Sequence, residues 1–131
     1  MNGYITRVHV PGLQSNVLAT GQTNTMGITV DVANVYWTSF DDGKVMKVPI
    51  AGGAPTMIAS GQQGATGIAV DATHAYWTVD GANGKVLKAP LVGGSVTTLA
   101  STQESAFHLA VDTTHVYWTS YTGGKVLRVP K

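Results

Sequence analysis

One segment of this 131-residue chain is written three times. G-I-T-V-D-V-A-N-V-Y-W-T from Gly27 returns as G-I-A-V-D-A-T-H-A-Y-W-T from Gly67, and again as H-L-A-V-D-T-T-H-V-Y-W-T from His108. Trp37, Trp77 and Trp118 recur at a period of about 40 residues. A second anchor keeps the same period: G-K-V-M-K-V-P at Gly43, G-K-V-L-K-A-P at Gly84 and G-K-V-L-R-V-P at Gly124. A third reads G-G-A-P-T-M-I-A-S-G from Gly52 and G-G-S-V-T-T-L-A-S from Gly93, with L-Q-S-N-V-L-A-T-G from Leu13 preceding the first full copy. Units of this length cannot bury an apolar face alone and must stack on their neighbours.

Each unit divides into four short runs separated by Gly, Asn, Asp or Pro, and Val, Ile, Thr, Tyr and Trp dominate the runs, as strands prefer. With 16 Gly and 5 Pro in the chain, a helical bundle is not expected. Four strands in about 40 residues, repeated, predict the blades of an all-β propeller. We letter the strands of a blade A to D from axis to rim. Adjacent strand residues point to opposite faces, so Tyr36 beside Trp37 fits a strand covered on both sides by neighbouring blades. Lys47, Lys88 and Arg128 recur at one position in strand C, where a long stem packs while the charge reaches water.

The Tyr-Trp-Thr runs, preceded by Ile-x-Val-Asp or Leu-Ala-Val-Asp, resemble the YWTD repeat of low-density-lipoprotein-receptor-type propellers, with broader similarity to NHL-type bacterial repeats. The likeness spans nearly the whole chain and implies a six-bladed propeller, in families that range from receptor ectodomains to bacterial binding modules. The fourth motif residue departs from the pattern: Asp in the family is Ser39, Val79 and Ser120 here. Any hydrogen-bond network built on that Asp is therefore not implied.

Several function classes fall away on composition. A net charge of +1 is far from what phosphate-backbone binding requires, so nucleic acid is not expected as a partner. No apolar run is long enough to cross a bilayer as a helix, and the N-terminal segment lacks the layout of a signal peptide, so no membrane partner is expected. Zero Cys removes disulfides and thiol catalysis. There is no G-x-S-x-G, H-E-x-x-H or G-x-x-x-x-G-K-[ST] motif, and Glu104 is the only glutamate. The expectation is a protein that is not an enzyme and needs no cofactor or metal.

Asp31, Asp71 and Asp112 end strand A in each unit. They read as turn residues that hydrogen-bond the next backbone N–H groups, since no second carboxylate stands beside any of them. Trp37, Trp77 and Trp118 read as inter-blade core rather than sugar platforms. His74 and His115 match Asn34 and read as turn residues, whereas His108 replaces Gly27 and Gly67 beside the central channel. Connections from D to A and from B to C emerge on one face of a propeller, and loops are where a rigid scaffold displays function. That face carries Gln22, Gln62 and Gln103 at matching positions, with Phe40, Asp80, Asn83 and Tyr121 in the second loop class. These residues, with His108, form the expected ligand surface for carbohydrate or peptide, in repeated weak sites rather than one pocket.

The functional expectation is a non-catalytic propeller module for binding or scaffolding. The alternatives are an enzyme of the six-bladed calcium-dependent lactonase type and an engineered or fragmentary propeller without a ligand. A lactonase would need acidic and amide ligands around the channel, where strand A instead starts with Met26-Gly27, Thr66-Gly67 and Phe107-His108. Residues 1–131 make half a β-propeller, about three four-stranded blades: units near 27–66 and 67–107, and a split blade from 108–131 plus 4–26. A homodimer is expected to close a six-bladed ring, with Asn16 to Thr20 as strand D of the partner's last blade. Ile5 to Val10 then competes with Lys125 to Pro130 for one strand-C slot, and one of the two is expected to be displaced or irregular.

Overall fold

The computed structural model describes residues 2–9 and 14–131. Among them the chain forms thirteen strands in four sheets. β1 (Asn2–His9) pairs with β2 (Gln14–Thr23). Two complete four-stranded blades follow: β3 (Thr25–Val30), β4 (Asn34–Ser39), β5 (Lys44–Pro49) and β6 (Thr56–Ala59), then β7 (Ala65–Val70), β8 (His74–Val79), β9 (Gly84–Pro90) and β10 (Thr97–Gln103). The last sheet has three strands, β11 (Ala106–Val111), β12 (His115–Ser120) and β13 (Lys125–Pro130). Every pairing is antiparallel and sequential, so the chain is an arc of about three propeller blades. We call the complete blades the first and second, and the three-stranded sheet the third.

The Tyr-Trp pairs hold this stack together. Trp77 packs toward the preceding blade, in one cluster with Tyr36, Val45, Ile58 and Ala59, while its neighbour Tyr76 packs toward the following blade with Val116 and Trp118. Trp37 packs in the same backward sense on Ile5 and Ala19 of the β1–β2 hairpin. The first two pairs thus each fill two interfaces from one strand, because their two side chains leave on opposite faces. Polar links cross the same interfaces. The Thr38 hydroxyl donates to the Thr66 carbonyl and the Thr78 hydroxyl to the Phe107 carbonyl, each at 2.6 Å. At the rim, Arg7 donates to the Ile50 carbonyl, and Lys47 donates to the Leu91 carbonyl rather than ending in water.

Two details of the strands bear on the anticipated units. Inner strands begin two residues before the anticipated unit boundaries, at Thr25, Ala65 and Ala106. The two candidates for strand C do not meet in one chain: β1 pairs with β2 and β13 with β12, and Val10 lies outside the described residues. Locality explains it, since β2 begins at Gln14, soon after β1 ends at His9, and pairing near neighbours costs little closure entropy. β1 is the irregular strand of the two, with register shifts on both sides of Ile5, whereas β12 and β13 pair without a break. Within one chain the parts of the anticipated split blade lie in separate sheets, as parts to be joined between two chains would.

Candidate functional site

The residues that repeat are largely consumed by the scaffold. Asp31 Oδ1 accepts the backbone N–H groups of Ala33 and Asn34, both at 2.7 Å, and Oδ2 accepts the Tyr36 hydroxyl at 2.6 Å. Asp71 and Asp112 repeat this brace with Tyr76 and Tyr117. Burial pushes the Asp31 and Asp71 carboxyls up, but the hydrogen bonds they accept outweigh it and hold both below the usual carboxylate range. At Asp112 the Thr114 N–H and the Tyr117 hydroxyl lower the carboxyl in the same sense. Burial and the bond to Asp31 push the Tyr36 hydroxyl up to about 12. The ring Nδ1 atoms of His74 and His115 lie 2.8 and 2.7 Å from the hydroxyls of Thr73 and Thr114, inside the same turns.

Two of the three glutamines of the loop face point inward to the tryptophans. Gln22 Oε1 accepts the Trp37 indole N–H at 3.0 Å while its amide donates to the Thr20 carbonyl, and Gln62 does the same with Trp77 and Ser60. Gln103 keeps only the second bond, to the Ser101 carbonyl, and Trp118 Nε1 is buried with no hydrogen-bond partner among the described residues. Gln103 follows Thr102, which adopts φ 56° where Gly21 and Gly61 stand in the other copies at φ 69°. Phe40 is half-buried and Asn83 is exposed, and neither joins the cleft described next.

That cleft, of about 510 Å³, lies between the second and third blades and is lined by Asp80, Ser105, Phe107, His108, Thr119 and Tyr121. It brings together three of the residues expected on the ligand face, Asp80, His108 and Tyr121. Phe107 is an addition to the expected set, although it is the one aromatic in the series Met26, Thr66, Phe107. Its ring sits 4.9 Å from that of His108, edge to face, and 6.4 Å from that of Tyr121. Tyr121 is 81% exposed, and Asp80 Oδ1 is buried without a hydrogen-bond partner among the described residues. Flat aromatic faces beside an unpartnered acceptor suit a ligand that offers both an apolar face and a donor. Apart from Thr119, which matches Thr38 and Thr78, the residues lining the cleft stand at positions where the repeats differ. Among the described residues, no group of three or more His, Asp or Glu side chains is placed to hold a metal ion.

No protein-family model matches the chain, and no curated protein matches it. Its fold is similar to solved structures. One is in a nidogen/laminin complex, at TM-score 0.67 and 15% identity over 97% of this chain and 67% of that one. Another is the computationally designed Ika4 protein, at TM-score 0.77 and 16% identity over 98% of this chain and 79% of that one. A third is a streptogramin B lyase, at TM-score 0.67 and 15% identity over all of this chain and 45% of that one. Identities this low carry the β-propeller fold and no more.

Proposed function

We propose that this chain is a non-catalytic propeller module of YWTD- or NHL-like repeat type that binds a carbohydrate or peptide at the cleft between its second and third blades. The observation that carries the reading is the cleft itself, whose lining combines the Phe107 and Tyr121 rings with Asp80, whose Oδ1 has no partner among the described residues. A pyranose or an aromatic or aliphatic peptide side chain stacks on such rings, and its hydroxyl or N–H supplies the missing donor. In this reading two chains complete a six-bladed ring, because the arc leaves both of its end faces apolar. Ile28 is 61% exposed where Ile68 is 7%, and Val126 is 77% exposed where Val45 and Val86 are 0%.

A glycan array and a peptide array probed with the full chain test the binding. Tyr121→Ala and Asp80→Asn are each expected to weaken the best hit at least tenfold while the circular dichroism spectrum stays unchanged. Binding that survives both substitutions moves the ligand elsewhere, and catalytic turnover of the bound compound overturns the non-catalytic reading.

A further inference from the structure

At the axis, neighbouring blades approach so closely that only glycine fits. A Cβ on Gly27 would lie 2.2 Å from the Thr66 carbonyl oxygen of the next blade, and one on Gly67 would lie 2.5 Å from the Phe107 carbonyl oxygen. Contacts below 3.0 Å of this kind, against backbone, cannot be relieved by a side-chain rotation. Beside each glycine a threonine completes the junction. Thr38 Oγ1 accepts the Gly27 N–H and its hydroxyl donates across to Thr66, and Thr78 does the same between Gly67 and Phe107.

The third blade keeps the threonine and loses the glycine. Thr119 Oγ1 accepts the N–H of its own strand A at 3.3 Å, and among the described residues its hydroxyl crosses to no further blade. The residue donating that N–H is His108. The opposite end of the arc presents the matching half of the junction, strand β3, with Met26, Ile28 and Val30 exposed at 44%, 61% and 58%. Sequence position makes the correspondence explicit, because Met26 aligns with Thr66 and Phe107, the residues whose carbonyls accept at the internal junctions.

Resting on the two-chain ring proposed above, we infer that His108 is a wedge at the junction between copies: the face of the third blade docks on strand β3 of a second copy of this chain, and His108 keeps that junction wider at the axis than the internal ones. The occupant is a second copy because the open face of the third blade and the exposed strand β3 are the two halves of an interface that the chain already makes twice within itself. Closing both junctions covers about 1,000 Å², taking each meeting face as the three strands of the third blade, ~17 Å long at ~4.8 Å spacing, with the β1–β2 hairpin on Trp37 giving way to the partner's third blade; this is the lower end of a specific protein interface. Toward the middle of the blade, Val126 of one copy meets the Ile28 side of the other and the Thr119 hydroxyl reaches for the Met26 carbonyl. At the axis, the His108 Cβ and imidazole meet the backbone that glycine would clear. The wedge therefore serves the cleft as well, since His108 lines it and holds the neighbouring copy away from Phe107 and Tyr121.

Analytical ultracentrifugation across a dilution series, on the wild-type chain and on His108→Gly, His108→Ala and Ile28→Glu, reads this directly. The wild type is expected to dimerise, and His108→Gly to lower the dissociation constant at least tenfold. His108→Ala retains the Cβ and gains much less, while Ile28→Glu stays monomeric with an unchanged circular dichroism spectrum. A wild-type chain that remains folded at 13.6 kDa throughout overturns the two-chain ring itself. If the wild type dimerises and His108→Gly leaves the constant unchanged, or His108→Ala tightens it as much as glycine does, the ring stands and the wedge is overturned.

Discussion

The second and third blades are written in almost the same residues and live in different surroundings. Trp77, Tyr76 and Val86 of the second blade are buried between neighbours on both sides. Their counterparts in the third, Trp118, Tyr117 and Val126, are respectively buried, half-buried and exposed. The backward face of the third blade is closed against the second, and its forward face is open. A repeat therefore specifies a blade's shape, while burial belongs to its place in the row. The polar braces follow the same rule: Asp71 of the second blade gains an ion pair at 2.8 Å with Lys131, which comes from the far end of the third. Asp112 of the third makes no ion pair among the described residues.

The largest effect that sharpens this contrast is at the tryptophans. Trp77→Ala removes a ring with no exposed surface and its bond to Gln62, so a loss near the upper end of about 3–5 kcal/mol is expected in urea unfolding. Trp118→Ala removes an indole that already lacks a partner for its N–H, and its loss should be smaller. Equal losses would mean that a blade's place in the row does not set its stability.

Next comes the Asp71 brace. The Asp71 carboxyl ionises below its ordinary value in the folded chain, so its contribution is full above about pH 4 and is lost as pH falls through the folded-state value. Asp71→Asn should cost about 1–2 kcal/mol at pH 7, and the gap to wild type should narrow as unfolding is measured toward pH 3. A gap independent of pH would assign the brace to turn geometry rather than to charge.

The smallest effect concerns backbone. Thr102 holds a left-handed conformation that glycine holds at Gly21 and Gly61, and a β-branched residue is strained there. Thr102→Gly should stabilise the chain by roughly 0.5–1 kcal/mol, visible as a rise of a few degrees in Tm, while Gly61→Thr should lower it. A fall in Tm for Thr102→Gly would mean that the threonine makes a compensating contact.

How much of this could be read from residues alone depends on whether the relevant relation is local or spatial. The strands and their order follow from the three phased copies, and the Asp turns follow from the chemistry of a short carboxylate at a strand end. The tyrosine that completes each turn is also within reach of the sequence, because Asp and Tyr stand five apart in all three units. So is the Gln–Trp link of the first two units, since Gln22 and Gln62 precede Trp37 and Trp77 by one fixed interval, though the same interval separates Gln103 from Trp118, where the link is not made. The inward turn of those glutamines, away from a ligand, is not legible, because a loop sequence does not reveal which way a side chain points. The cleft is legible only in pieces: Asp80 and Tyr121 come from B-to-C loops of different blades, and Phe107 matters because its strand sets its ring against Tyr121 from the next connection of the same blade. The two strand-C candidates compete on sequence alone because a strand's partner depends on chain connectivity, which its own few residues do not encode.

The adjacent tyrosine and tryptophan give every blade a direction, with indole behind and phenol ahead. An interface with direction is heterologous, so a copy adds head to tail, and the row takes further copies until it closes. The number is set by the angle between blades. A chain of such units can therefore lengthen by duplicating one of them, since the new copy brings both halves of an interface its neighbours already recognise, and the ring size shifts without any new surface having to arise.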